Sequence, residues 1–306
     1  MKSSSSSSVP VIDLQKFPSE SHNLIQACDQ WGCFRIINHT IPTNLMSEMK
    51  SVIKFLLDLP AEVKIRNIDV IAGSGYVAPT KINPLYEALG LYDIGSSQAV
   101  REFCDQLEAT PSQRYTIEKY SEAINELVMD IGRKICESLG LGSKNLFLEW
   151  PCQFRINKYS FTPEAVGSCG VQIHTDSGFL TILQDDENVG GLEVMDKETG
   201  VFLPIDPMPG SLLVNMGDLA KIWSNGRFYN VKHKVMCREA SVRLSIALFV
   251  LGPKDTQMEA PAELLLDSDD TRLYVPVAFE EYRKLRLSKG MHAGEALSLL
   301  LQDAKQ

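Results

Sequence analysis

Two histidines and one aspartate carry the first chemical signal in this chain. In Gln172-Ile173-His174-Thr175-Asp176, the alternation of an extended segment puts residues 174 and 176 on one face. His233 lies in a second run of β character, Asn230 to Val235, which can cross the interior opposite that pair. Two imidazoles and one carboxylate on one side of an ion leave positions open for substrate and oxygen, as in non-haem iron(II) oxygenases. Taken alone, His-x-Asp is a common pair, and zinc accepts the same ligands. The remaining three of the five histidines have no such setting. His22 is expected on a solvated helix face, His39 in a turn beside Asn38, and His292 on the surface near the C-terminus.

A second cluster lies ten residues beyond His233, where Arg243-Leu244-Ser245 opens a strand and alternation puts Arg243 and Ser245 on one face with Ala247 and Phe249. A guanidinium binds a carboxylate through two parallel hydrogen bonds, and a serine hydroxyl adds a third donor, which suits a dicarboxylic keto acid. In an earlier strand Gln153, Arg155, Asn157 and Tyr159 share a face, so an amide and a phenol can point into the same interior. Tyr159 on its own reads more readily as a half-buried core residue, and its company is what favours the site.

These residues need a scaffold of strands. From Cys152 the chain breaks into short runs at 152–159, 171–174, 180–184, 192–195, 201–204, 211–216, 230–235 and 243–250, punctuated by turns such as Gly190-Gly191 and Ser224-Asn225-Gly226. That spacing predicts an antiparallel barrel or double sheet. Upstream, Val9 to Leu14 and Cys33 to Ile37 read as strands. Helices are expected behind a Ser19 cap, from Pro42, and along the apolar positions from Ile117 to Leu139, ending at Gly140. Gly73 to Pro84 reads as a loop able to carry substrate contacts. The expected division is a disordered serine-rich lead (1–8), a mostly helical region (9–150), a β core (151–253) and a helical extension (254–306), integrated as one domain.

Bulk composition narrows the partners. At 44% hydrophobic and 23% charged residues, 306 residues supply an ample core. A net charge of -9 disfavours a nucleic-acid or anionic-membrane surface and fits a small-molecule substrate. Seven scattered cysteines without a Cys-x-x-Cys pair suggest a reducing, cytoplasmic setting. No apolar run approaches membrane-spanning length, and a monomer or weak homo-oligomer is expected.

Asn157-x-Tyr159, His174-x-Asp176, Asn215-Met216-Gly217-Asp218, Ser224-Asn225-Gly226-Arg227, His233-Lys234-Val235 and Arg243-x-Ser245, in this order, resemble the plant 2-oxoglutarate- and iron(II)-dependent dioxygenases. The likeness extends upstream to Val9-Pro10-Val11-Ile12-Asp13-Leu14 and to Trp31-Gly32-Cys33-Phe34. It implies a mainly β fold with surrounding helices, built on a double-stranded β-helix (a cupin-like jelly roll). It further implies iron(II) on His174, Asp176 and His233, with oxygen as oxidant and ascorbate as reductant. The co-substrate 2-oxoglutarate would sit against Arg243, Ser245 and Tyr159, with Asn157 beside them.

Two positions depart from the family pattern: Ser160-Phe161-Thr162-Pro163 replaces a proline- and cysteine-rich segment, and Thr40 stands where relatives carry glycine, a strained choice if that turn needs a positive φ. Gly73-Ser74-Gly75-Tyr76, Asn83-Pro84-Leu85-Tyr86-Glu87, Trp150-Pro151-x-Gln153-Phe154-Arg155 and Asn225-Gly226-Arg227 look like the auxin-oxidising branch. This implies hydroxylation of indole-3-acetic acid or its amino-acid conjugates toward 2-oxindole products. Phe161, Phe179, Phe249, Tyr76 and Tyr86 are then candidate pocket walls, and Arg155 the candidate partner of the acid tail. Two other readings stand beside this one: a related dioxygenase acting on another aromatic or thio-substituted small molecule, and a non-catalytic binder that retains a metal.

Overall fold

The computed structural model describes residues 9–265 and 271–302; the serine-rich lead falls outside them. Strand β1 (Val11–Asp13) leads into helix α1 (Ser21–Gln26), which runs on as a wider π turn to Trp31. Ser19 does not cap α1: the preceding residue is Glu20, already helical and without a capping bond, and the Ser19 hydroxyl turns back to the Lys16 carbonyl. Gly32 ends this segment at φ +60°, and a Cβ there would lie 1.9 Å from the Tyr229 carbonyl oxygen. Strand β2 (Cys33–Ile37) follows, then α2 (Thr43–Leu57) and the short α3 (Ala61–Lys64). The positive φ in the connecting turn belongs to Asn38, at 51°, so Thr40 carries no strain of that kind.

Next come β3 (Tyr86–Leu91), α4 (Ser97–Gln106) and the long α5 (Pro111–Ser138). Helix α5 starts six residues before the first apolar position read from the sequence. Its opening turn is set by a capping box between Thr110 and Gln113 with a proline at the start, not by burial. The remaining strands are β4 (Cys152–Ser160), β5 (Cys169–His174), β6 (Leu180–Gln184), β7 (Leu192–Met195), β8 (Phe202–Pro204), β9 (Leu212–Met216), β10 (His233–Met236) and β11 (Val242–Val250). The six-residue α6 (Asp218–Trp223) interrupts them, and α7 (Phe279–Lys289) lies beyond. Strand β3 was missed because Tyr86 to Leu91 lacks polar alternation: five of its six residues are buried.

Seven strands form one sheet in the order β1-β2-β9-β6-β11-β4-β3, and four form a second in the order β5-β10-β7-β8. All pairs are antiparallel except β1 with β2. This is the double-stranded β-helix, with three strands from the region before residue 150 extending its larger sheet. Alternation divides the two faces. Phe154 and Ile156 on β4, Ile182 on β6, and Leu244, Ile246 and Leu248 on β11 belong to the large core that also holds the apolar faces of α2 and α5. Tyr159, Leu192, Val194, Leu213 and Val235 form a smaller core between the sheets. Among the described residues no helix is long and apolar enough to cross a membrane.

A buried ion pair fastens β2 to the rest. Arg35 reaches Asp185 at 3.0 Å and also donates to Ser211 and to the Asp206 carbonyl, with both charged side chains less than a tenth exposed. Asp185→Asn leaves that guanidinium uncompensated, and unfolding in urea should show a loss of about 3–5 kcal/mol. An unchanged midpoint would show that the pair contributes nothing.

Candidate active site

His174 is the last residue of β5, and His233, the first residue of β10, pairs directly with it across the small sheet. Their rings stand 4.1 Å apart between centroids. Asp176 lies two residues past the end of β5, so the loop, and not strand alternation alone, turns its carboxylate inward. The Nε2 atoms of both histidines are 3.7 Å from Asp176 Oδ1. An ion bonded at about 2.0–2.2 Å can bridge donors at that spacing.

The tautomers fit a metal as well as the distances do. His174 Nδ1 lies 2.8 Å from the Gln172 carbonyl, and His233 Nδ1 lies 3.2 Å from the Val231 carbonyl. A carbonyl only accepts, so each Nδ1 carries the proton and each Nε2 presents a lone pair to the third residue. Burial lowers the basicity of His174, and neighbouring His233 lowers it further against the opposing pull of Asp176. The imidazole is therefore held in the neutral form that ligates. Thr181 Oγ1 donates to the other carboxylate oxygen of Asp176 at 2.5 Å, which leaves Oδ1 for the ion.

Opposite these residues the ladder of β4 with β11 sets Arg243 beside Tyr159, Ser245 beside Asn157 and Ala247 beside Arg155. Arg243 is 2% exposed, its guanidinium carbon sits 5.4 Å from the Tyr159 ring centre, and its Nη1 reaches Ser245 Oγ only at 3.4 Å. Its buried Nε has no hydrogen-bond partner among the described residues. A cation buried with so little compensation requires an anion, and the planar fork fits a carboxylate. Asn157 donates to Ser245 Oγ at 3.3 Å and accepts from the Tyr86 hydroxyl at 2.8 Å, so the amide is fixed between phenol and serine. Burial pushes the Tyr159 phenol up, with Arg243 and Ser245 acting the other way, and the hydroxyl remains a donor.

One cavity of about 600 Å³, counted to its open mouth, brings together His174, Asp176, His233, Arg243, Ser245, Asn157, Tyr159, Arg155, Tyr86 and Phe249. Arg155 donates to the Gly75 carbonyl at 2.5 Å and forms no salt bridge among the described residues, with Asp69 as a more distant opposite charge.

Three expected wall residues stand elsewhere. Phe179 is fully buried with Phe147, Trp150 and Trp223 in the large core, because it precedes β6 on the outer face. Tyr76 bonds Glu87 at 2.6 Å and packs beside Lys64. Phe161 lies behind the wall, 5.7 Å from the Tyr159 ring. The cavity also has walls that were not read from the sequence: Thr181, Leu183, Leu192, Asn215 and Val235. Each is an ordinary strand residue, distinguishable only by the register that turns it inward. His22 and His292 are exposed and His39 is partly buried, all outside this cavity.

Residues 150–252 match the 2OG-Fe(II) oxygenase superfamily, and residues 9–111 match the N-terminal region described as "non-haem dioxygenase in morphine synthesis". The rice 2-oxoglutarate-dependent dioxygenase DAO is 50% identical over 95% of this chain and 98% of its own length. A gibberellin 3-beta-dioxygenase of Arabidopsis thaliana is 31% identical over 91% of this chain and 82% of its own. The crystal structure of the rice dioxygenase for auxin oxidation superposes with a TM-score of 0.89 at 49% identity, covering 96% of this chain and all of the rice one. The 2-oxoglutarate complex of dioxygenase for auxin oxidation 1 from Arabidopsis thaliana gives 0.83 at 57% identity, covering 86% of this chain and all of that one. With a His-Asp-His cluster facing the same cavity as the buried Arg243, this chain belongs to the 2OG-Fe(II) oxygenase superfamily and is a 2-oxoglutarate-dependent dioxygenase.

Proposed function

We propose that this chain oxidises indole-3-acetic acid, or its amino-acid conjugates, to 2-oxindole products, while 2-oxoglutarate leaves as succinate and carbon dioxide. One observation carries the acidic substrate: Arg155 faces the same cavity as Arg243, and neither guanidinium has a salt-bridge partner among the described residues. Their ladder positions are four residues apart, about 13 Å of strand, so the two cations call for two acids. One is the co-substrate and the other is the substrate's tail. The relatives named for auxin oxidation support the choice of an indole acid.

In this reading Arg243 and Ser245 receive the far carboxylate of 2-oxoglutarate, with Tyr159 against the guanidinium and Asn157 holding the serine. His174, Asp176 and His233 hold iron(II), which when bound activates oxygen for insertion into the substrate at the expense of the keto acid. Phe249, Leu183 and Leu192 keep that end of the cavity apolar, and Arg155 fixes the acid tail so that the ring presents one edge. The free cysteines, six of them buried, suit a reducing cytoplasmic environment.

Replacing His174, Asp176 or His233 with alanine should remove iron from the purified protein and abolish turnover, because among the described residues no fourth protein ligand lies in the cluster. Metal analysis after reconstitution checks this, and full activity in any of the three would refute the assignment. Arg243→Met should weaken 2-oxoglutarate by about 3–5 kcal/mol with iron content unchanged. Anaerobic titration calorimetry reads the affinity and elemental analysis the iron content, and unaltered affinity would move Arg243 to another role.

For the substrate, purified protein with iron(II), ascorbate and 2-oxoglutarate should convert indole-3-acetate or its aspartate conjugate to a product heavier by one oxygen. Arg155→Met should raise KM for that acid by about thirtyfold, or about 2 kcal/mol, without changing KM for 2-oxoglutarate. If neither acid is consumed while another aromatic acid supports 2-oxoglutarate turnover, the auxin reading fails and the dioxygenase stands.

A further inference from the structure

Asp218 is fully buried at the start of α6 and lies outside the cavity lining, yet two bonds tie it to the segments that carry the metal ligands and two more tie it to α7. Its backbone N–H donates to the Asp176 carbonyl at 2.8 Å. Its carboxylate accepts from the Tyr282 hydroxyl at 2.6 Å, from Arg286 Nη1 at 2.5 Å and from Asn230 Nδ2 at 2.8 Å. Asn230 precedes His233 by three residues. Arg286, 7% exposed on α7, then donates through Nη2 to the carbonyls of Thr175 and His292, both at 2.8 Å. The Thr175 N–H closes the circuit on the same His292 carbonyl at 2.9 Å. Gly217 makes the approach possible: a Cβ there would lie 2.2 Å from the Gly178 carbonyl oxygen and 2.9 Å from that of Asp176.

A single buried carboxylate thus holds both chain segments, one through Asn230 and the other through its own N–H and Arg286. We infer that Asp218 and Arg286 are positioning residues for the metal, and that α7 is a working part of the iron site. An isolated buried ion pair gives little net stability. This one is placed where a guanidinium fork can grip the backbone between two ligands: Nη1 takes the carboxylate while Nη2 takes two carbonyls, a span that the single nitrogen of a lysine ammonium does not have. The inference rests on His174, Asp176 and His233 being the ligands.

The test uses the full chain without 2-oxoglutarate and measures manganese(II) affinity by electron paramagnetic resonance, below the unfolding temperature of every variant. Arg286→Lys should weaken manganese about tenfold or more, and Tyr282→Phe should weaken it less but in the same direction. Saturating metal should restore most turnover in Arg286→Lys, with KM for 2-oxoglutarate unchanged. Asp185→Asn, which breaks the buried pair at β2, should lower the melting temperature and leave manganese affinity intact. The inference is overturned if folded Arg286→Lys and Tyr282→Phe bind manganese like the parent, or if Asp185→Asn loses as much affinity as they do. Should Arg286→Lys fail to fold, Tyr282→Phe decides alone. Parent-like affinity in His174→Ala would overturn the ligand assignment itself, a result separable from both.

Discussion

Burying Arg243 without a carboxylate is the constraint under which the rest of this fold is arranged. The aromatic face of Tyr159 and a long contact to Ser245 compensate the guanidinium only in part, and a buried charge is costly unless it is fully paired. The same strand offsets it. Leu244, Ile246, Leu248 and Val250 on the opposite face of β11 are all buried in the large core, each worth roughly 1.5–3 kcal/mol. Under the proposed assignment, an acid paired with Arg243 would offset that cost and stabilise the folded chain through linkage.

Using one strand for two purposes makes register decisive. A slip of one residue in the β4–β11 ladder would turn Arg243 and Ser245 toward α2 and α5 and bring leucines into the cavity. Nine consecutive pairs, Val242 with Ser160 through Val250 with Cys152, hold the alignment, and β3 extends it by setting Tyr86 beside Tyr159. The Tyr86, Asn157 and Ser245 chain of hydrogen bonds is a side-chain record of the same register.

That division also explains what could be read without coordinates. Period-two patterns from residue 152 onward give strand spans close to the observed ones, since turns bracket each run and one face is consistently apolar. Ligand-type residues are rare and chemically distinctive, so His174, Asp176, His233 and Arg243 stood out. Pocket walls did not, because an aromatic residue looks the same in a core as in a cavity. Phe179 shows this: one residue before β6, it faces Phe147 and Trp150, whereas Phe249, its neighbour by type, turns inward. Nor could the tie between Asp218 and Arg286 be foreseen, since 68 residues separate the partners and neither position is unusual alone.

The long reach of that tie follows from where the ligands sit. His174 ends one strand, His233 begins another, and Asp176 lies beyond the sheet, so the ladder fixes the histidines at one end only. A metal site at the rim of a sheet needs support from outside it, because the loops there have no partner strand to set their carbonyls. Asp218, Asn230 and Arg286 supply fixed partners for these backbone groups from α6, from the approach to β10 and from α7. Three elements therefore converge on the side of the ligands away from the cavity, which leaves the cavity side free for co-substrate, oxygen and substrate.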